Sequence, residues 1–334
     1  MKNAAVVGFG FMGMTHARNI IQHKNLHLAA IVDSNAALFN MESTVKTGNI
    51  QTGDFSVRDF ESAGKYTDID RCLNSENIDA VIVSVHTGLH YEMTMKSLSR
   101  GKHVFVEKPF CLDIGQAQEM TDFARQKGRV LMVGQVVRFM KPYILLKRWI
   151  ESDEFGRLKF LHLSRFCGVP GWGQWKEGKV AEASGGALFD LVIHDIDFVN
   201  YLFGSPDEIR SVTFPGRMSD HDYVSAHWNY REKGIDVRIE GGNIFHRSYP
   251  FQAGYMAGFE RASIQYNTSN GDRIIVSDDY EVRDIPAGDA GTGYFDEMDY
   301  FSECIENNRL PEKCMPESAI GSILLCYKHI QRIS

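Results

Sequence analysis

The start of the chain constrains its fold more than any other stretch. Ala4–Val7 is an apolar run that breaks at Gly8-Phe9-Gly10-Phe11-Met12-Gly13, and a helical pattern follows through Thr15–Gln22. Strand, glycine turn and helix in that order are the context a dinucleotide site needs. Gly8 permits the tight turn, Gly10 lets a backbone approach a pyrophosphate, and Gly13 allows the helix to pack on the strand. The helix N-terminus then offers N–H groups to phosphate. A second apolar run, Leu28–Val32, ends at Asp33. That acid lies about twenty residues beyond Gly13, the spacing at which a carboxylate meets the adenosine ribose hydroxyls. It also repels a 2′-phosphate, and no Arg or Lys follows in Ser34–Ala37. NAD is therefore favoured over NADP. An Asp capping the next helix is the competing reading, and the spacing disfavours it.

Alternation continues down the first half. Asp68–Asn74, Tyr91–Ser99 and Ile114–Gln126 read as helices, and Gly101 and Gly128 follow the last two. Ala80–Val85, His103–Val106 and Val130–Val133 read as buried strands. Repeated strand–helix units with short links predict a doubly wound parallel sheet. At 334 residues the chain has room for two domains, and the expected division is 1–135 and 136–334.

Within the first half, Val104-Phe105-Val106 stops abruptly at Glu107-Lys108-Pro109. Proline cannot extend a strand ladder, so Lys108 is expected at the carboxyl end of its strand, where ligands of open α/β sheets collect. A surface lysine is the plainer alternative. His86–His90 follows the preceding strand onto the same edge. His90 there either orders its loop or touches the nicotinamide half of a cofactor.

After Arg138 the grammar changes. Pro142–Ile150 reads as a helix and Leu158–Arg165 opens a sheet, with period-2 runs at Tyr223–Tyr230, Ile235–Ile239 and Ala262–Tyr266. Glu232–Gly234 and Ser269–Asp272 carry hairpin-turn residues. An α/β domain with an open, mostly antiparallel sheet is expected, and a broad sheet face of this kind suits a homodimer or homotetramer. Gly185-Gly186 leads into a helix where Asp190, His194, Asp197 and Tyr201 recur at helical spacing among Leu188, Leu191, Val192, Ile196 and Val199. A polar stripe on a buried helix must face water or polar partners. Asp190 and His194 are within reach of each other and read equally as an oriented general base or as a structural pair. No third residue at suitable spacing suggests a metal.

The totals exclude other classes. A hydrophobic share of 43%, 24% charged residues and a net charge of −7 describe a globular chain with no basic surface for nucleic acid. Six scattered cysteines without a C-x-x-C pair suit a reducing cytoplasm, and Met1–Gly8 leaves no room for a secretory apolar region. No apolar run is long enough to span a bilayer.

With these residues in place the chain resembles the Gfo/Idh/MocA oxidoreductases (glucose–fructose oxidoreductase, inositol dehydrogenase and relatives). The resemblance rests on Gly8–Gly13, Asp33, His90, Glu107-Lys108-Pro109, and Gly185-Gly186…Asp190…His194…Asp197. It implies a Rossmann domain, a C-terminal α/β domain, and a catalytic set of Lys108, Asp190 and His194. The cofactor set it implies is Gly8, Gly10, Phe11, Met12, Gly13, Asp33, Ser84, His90, Glu107 and Lys108, with NAD as cofactor. The loop written Thr-Pro-Asn-x-x-His in the family stands here as Val85-His86-Thr87-Gly88-Leu89-His90.

The implied reaction moves hydride between a secondary alcohol of a sugar, inositol or related polyol and a nicotinamide. His194 takes the hydroxyl proton, Lys108 stabilises the charge growing on that oxygen, and Asp190 holds the imidazole or a neighbouring hydroxyl. Trp172 and Trp175 serve either to stack on a sugar ring or as packing residues. Two alternatives remain: an NAD-dependent glycosidase of the same family, and a non-catalytic NAD-binding sensor.

Overall fold

The computed structural model describes residues 1–40, 57–170, 184–289 and 291–330. They form two compact units, Met1–Val136 with Gly293–Ile320, and Val137–Thr292 with Gly321–Ser334.

The first unit is built on a parallel sheet of β1 (Lys2–Val7), β2 (Leu26–Val32), β3 (Gly64–Tyr66), β4 (Ala80–Val83), β5 (His103–Glu107) and β6 (Leu131–Gly134). Its strand order is β3-β2-β1-β4-β5-β6. The central strands are unbroken Val, Ile, Ala and Phe because both faces of a parallel sheet are covered. The covering helices are α1 (Phe11–Gln22), α2 (Ile69–Ser75), α3 (His90–Ser99) and α4 (Ile114–Gln126). Asp68 and Asp113 start α2 and α4 by accepting the N–H groups of Arg71 and Gln116, each at 2.9 Å. Strand order reverses between β1 and β4, so ligands are expected outside the carboxyl ends of these two strands.

The second unit carries a mixed sheet of β7 (Leu158–Gly168), β8 (Glu208–Phe214), β9 (Tyr223–Tyr230), β10 (Ile235–Phe245), β11 (Gln252–Phe259), β12 (Ser263–Asn267), β13 (Arg273–Ser277) and β14 (Val282–Pro286). The order is β14-β13-β12-β11-β7-β10-β9-β8, antiparallel throughout except for the β7–β10 pair. Glu232–Gly234 joins β9 to β10 and Ser269–Asp272 joins β12 to β13, both as antiparallel hairpins in line with their turn residues. One face packs on α5 (Lys141–Ser152) and α6 (Ile193–Phe203). There Tyr143 meets Phe198 edge-on at 4.9 Å and Tyr255 at 5.5 Å. The other face leaves Phe160, Val212, Phe214 and Met256 exposed.

The chain ends in α7 (Thr292–Glu306) and α8 (Pro316–Ile330). The expected division at 135/136 places all of this in the second domain, yet Gly293–Ile320 belongs to the first unit. The cause is the apolar stripe of α7. Phe301 packs edge-on against Phe105 at 5.8 Å and Tyr294 against His16 at 6.4 Å. No described helix is long and apolar enough to cross a membrane.

Candidate active site

The nucleotide edge is assembled from the ends of β1, β2 and β4. Gly8 sits at φ +90°, and a Cβ there would lie 2.6 Å from the Val85 nitrogen, so only glycine makes this turn. A Cβ on Gly13 would collide with the Gly8 carbonyl oxygen, which locks α1 against the end of β1. Gly10, by contrast, is the exposed residue before α1, with nothing within 4 Å of its Cβ position and no side chain capping the helix. Open space in front of free helix N–H groups fits a pyrophosphate. Phe11 and Met12, in the first turn of α1, are partly exposed beside it. Phe9 points inward instead, edge-on to Phe60 at 5.3 Å, and anchors the loop.

Ser84 fastens the two strand ends together, its hydroxyl donating to the Gly8 carbonyl at 2.9 Å. Asp33 accepts the Phe9 N–H at 2.7 Å on one oxygen and the Asn35 N–H at 2.8 Å on the other. Its carboxylate thus braces the glycine turn and caps the following turn. It stays partly exposed, and a carboxylate has acceptor capacity left for a ribose diol. These residues fit a dinucleotide.

Lys108 follows the last residue of β5. It is partly exposed while Glu107 and Pro109 on either side are buried, and the Lys108–Pro109 peptide is cis. Two members of the expected cofactor set are occupied elsewhere. Glu107 turns inward, accepting from His16 Nε2 at 2.6 Å and from the Lys108 backbone N–H at 3.1 Å. His90 is buried, with Nδ1 2.9 Å from the Pro109 carbonyl and Nε2 3.0 Å from that of Val85. Burial holds its pKa down against the pull of those carbonyls. Of the two readings of His90, loop ordering fits this geometry. The side chains of His90 and Glu107 thus support the edge from within.

In the second unit, Leu188–Val192 forms a π-turn before α6. The strict 3.6-residue period aligning Asp190 with His194 therefore holds only from Ile193 onward. Asp190 and His194 are both partly exposed, whereas Asp197 is buried. The expected stripe accordingly splits. Arg138 Nε and Nη2 fork onto Asp197 at 2.8 and 2.5 Å, the Ser322 hydroxyl adds a bond at 2.8 Å, and Tyr201 lies against the guanidinium at 4.5 Å. Asp197 belongs to this buried cluster, with partly exposed Tyr201 at its edge, while Asp190 and His194 are partly exposed. Beside it, Arg165 makes two 2.9 Å bonds to Asp195, whose carboxyl burial pushes up while Arg165 pulls it down.

Trp172 and Trp175 lie outside the described residues. Sequence reasoning passed over Arg138 and Arg165, and also His16 and Glu297 of the first unit. Each is a charged or polar side chain set among buried apolar neighbours, which was the available signal.

A β3-β2-β1-β4-β5-β6 sheet with this glycine turn and an acid closing β2 defines a dinucleotide-binding protein. Residues 2–135 match the NAD-binding Rossmann-fold model of the GFO/IDH/MocA oxidoreductase family, and residues 143–258 match that family's C-terminal domain. The chain belongs to the GFO/IDH/MocA family and is an NAD-binding oxidoreductase.

It is 35% identical over 154 residues to an uncharacterized oxidoreductase of Schizosaccharomyces pombe, a match spanning 46% of this chain and only 41% of that protein. It is 24% identical over 325 residues to the scyllo-inositol 2-dehydrogenase (NAD(+)) of Bacillus subtilis, covering 92% of this chain and 87% of the relative. A levoglucosan dehydrogenase solved with NADH and levoglucosan shares the fold, with a TM-score of 0.80 at 18% identity over 99% of this chain and 96% of its own.

Proposed function

We propose that this protein is an NAD-dependent dehydrogenase that oxidises a secondary alcohol of a sugar, an inositol or a related polyol. The observation that carries the reading is Lys108, an ammonium group presented between two buried neighbours at a strand's carboxyl end, beside the glycine edge. The inositol and levoglucosan activities named for the relatives supply the substrate class.

Bound NAD supplies the two-electron acceptor. The chain's own residues handle the proton and the charge. His194 takes the hydroxyl proton as the alcohol carbon is oxidised to a carbonyl, and the Lys108 ammonium donates to the same oxygen while negative charge grows on it. Asp190, four residues before His194, holds the imidazole or an adjacent hydroxyl. Gly8, Gly10, Phe11, Met12, Gly13, Asp33 and Ser84 form the cofactor edge, and the acid at Asp33 selects NAD.

A panel of inositols, aldoses and sugar derivatives offered with NAD or NADP, and read as reduced cofactor, tests the proposal. Sustained NADH formation from at least one polyol supports it. Aglycone release without net NADH supports a glycosidase instead, and no turnover of any alcohol supports a sensor. The buried thiols are consistent with a cytoplasmic setting. The exposed Phe160, Val212, Phe214 and Met256 favour self-association through the open sheet face, for which light scattering on a sizing column should give a dimer or tetramer.

A further inference from the structure

Behind Lys108 the first unit encloses three ionisable side chains from three elements. His16 comes from α1, Glu107 from the end of β5, and Glu297 from α7. All three are buried, and one ring nitrogen and two carboxylate oxygens lie within 4.8 Å of one another. Glu107 accepts from His16 Nε2 at 2.6 Å on Oε1 and from the Lys108 N–H at 3.1 Å on Oε2, which leaves lone-pair capacity for a further donor. Glu297 is 0% exposed, and neither of its oxygens has a hydrogen-bond donor among the described residues. A charged carboxylate buried in that position beside a second carboxylate carries a large desolvation and repulsion cost.

Two occupants would relieve it, a cation or a proton. Ligands sharing one zinc or magnesium ion stand about 3 Å or more apart, because each bond is about 2.0–2.2 Å long. The 2.6 Å separation of His16 Nε2 and Glu107 Oε1 is a hydrogen bond already made. The geometry therefore favours the proton.

We infer that Glu107 and Glu297 share one proton, Glu297 standing as a neutral carboxylic acid that donates to the Glu107 carboxylate, and that this buried pair is a positioning device for Lys108. Burial, together with the Glu107 charge acting through space, raises the Glu297 pKa well above its ordinary value. With Glu297 neutral, the charge of the carboxyl pair rests on Glu107. It sits on the residue next to Lys108 and is tied to the Lys108 main chain. The positioning role rests on the reading of Lys108 given above, whereas the shared proton does not.

Infrared difference spectra of the full-length apoprotein at neutral pH, wild type against Glu297→Gln with carbon-13-labelled glutamate, test the proton directly. A protonated carboxyl C=O band that vanishes in Glu297→Gln is expected, and its absence in the wild type overturns the inference. So does a stoichiometric metal ion, found by elemental analysis of the purified protein and lost in Glu297→Gln. Both readouts stand even if no alcohol is turned over.

Positioning is tested by a pair of variants. Glu297→Gln keeps an N–H donor toward Glu107 and should retain kcat within about threefold, whereas Glu297→Leu should lower kcat by about tenfold or more with little change in NAD affinity. Equal loss in the two variants, or loss confined to thermal stability, overturns the positioning role.

Discussion

Arg138 and Asp197 close on each other through two bonds, 2.8 and 2.5 Å, with both side chains buried. The pair uses the bidentate geometry that a planar guanidinium offers a carboxylate. Replacing Arg138 by Met should destabilise the protein by about 3–5 kcal/mol, because an uncompensated charge is left inside. Arg138→Met with Asp197→Leu should recover much of that loss. Urea denaturation of both variants measures it, and equal stability of the single variant and the parent would show the pair to be inert.

Gly13→Ala should strike the nucleotide edge. The added methyl meets the Gly8 carbonyl oxygen, so α1 must shift off the end of β1. A stability loss of about 1–3 kcal/mol is expected, with NAD affinity falling about tenfold or more. Fluorescence titration with NAD reads the second effect, and undiminished affinity would argue against this binding edge.

Asp33→Asn keeps an acceptor for the Phe9 N–H, now 2.7 Å from Oδ2, and removes the charge. The ratio of NAD to NADP affinity should fall by about tenfold, since a charged hydrogen bond to the ribose is weakened and the repulsion of a 2′-phosphate is lifted. An unchanged ratio would place cofactor choice elsewhere.

Acid should loosen the second unit through His329. Its Nε2 accepts the Trp228 indole N–H at 3.0 Å while its Nδ1–H donates to the Leu325 carbonyl at 2.7 Å. Protonation would destroy the acceptor, and burial pushes the pKa down to about 4. The unfolded state takes up its proton near the ordinary value of about 6.5. The stabilisation is therefore complete above that value and is lost as pH falls from there to about 4, by about 3 kcal/mol in all. His329→Gln should flatten that part of the stability–pH curve. A curve identical to the parent's would refute the assignment.

The sequence read well where periodicity and glycine chemistry decide structure. Ile114–Gln126 and Tyr223–Tyr230 are an α-helix and a strand with the expected ends. The glycine turn carries its signal in residue types because a Cβ is excluded at Gly8 and Gly13. β3 escaped notice because Gly64–Tyr66 is three residues long and only half-buried. The return of Gly293–Ile320 to the first unit was hidden because contact between α7 and Phe105 is long-range and leaves no local trace. Asp197 has the polar partners its place on the stripe required, but helical spacing shows only which residues share a face, not that Arg138, far away in sequence, waits on that face. Glu297 could have been noticed, since a carboxylate within the stripe of Tyr294, Met298 and Phe301 points inward.

The central claim is that Lys108 acts on the alcohol oxygen and not on the cofactor. Lys108→Ala, assayed for NADH formation on the best polyol of the panel and for NAD affinity by titration, tests it most directly. The expected outcome is a fall in kcat of about 10²–10³-fold, the usual cost of removing one donor to a developing oxyanion, with NAD affinity held within about threefold. Turnover equal to the parent's, or a loss of activity matched by an equal loss of NAD binding, would contradict it.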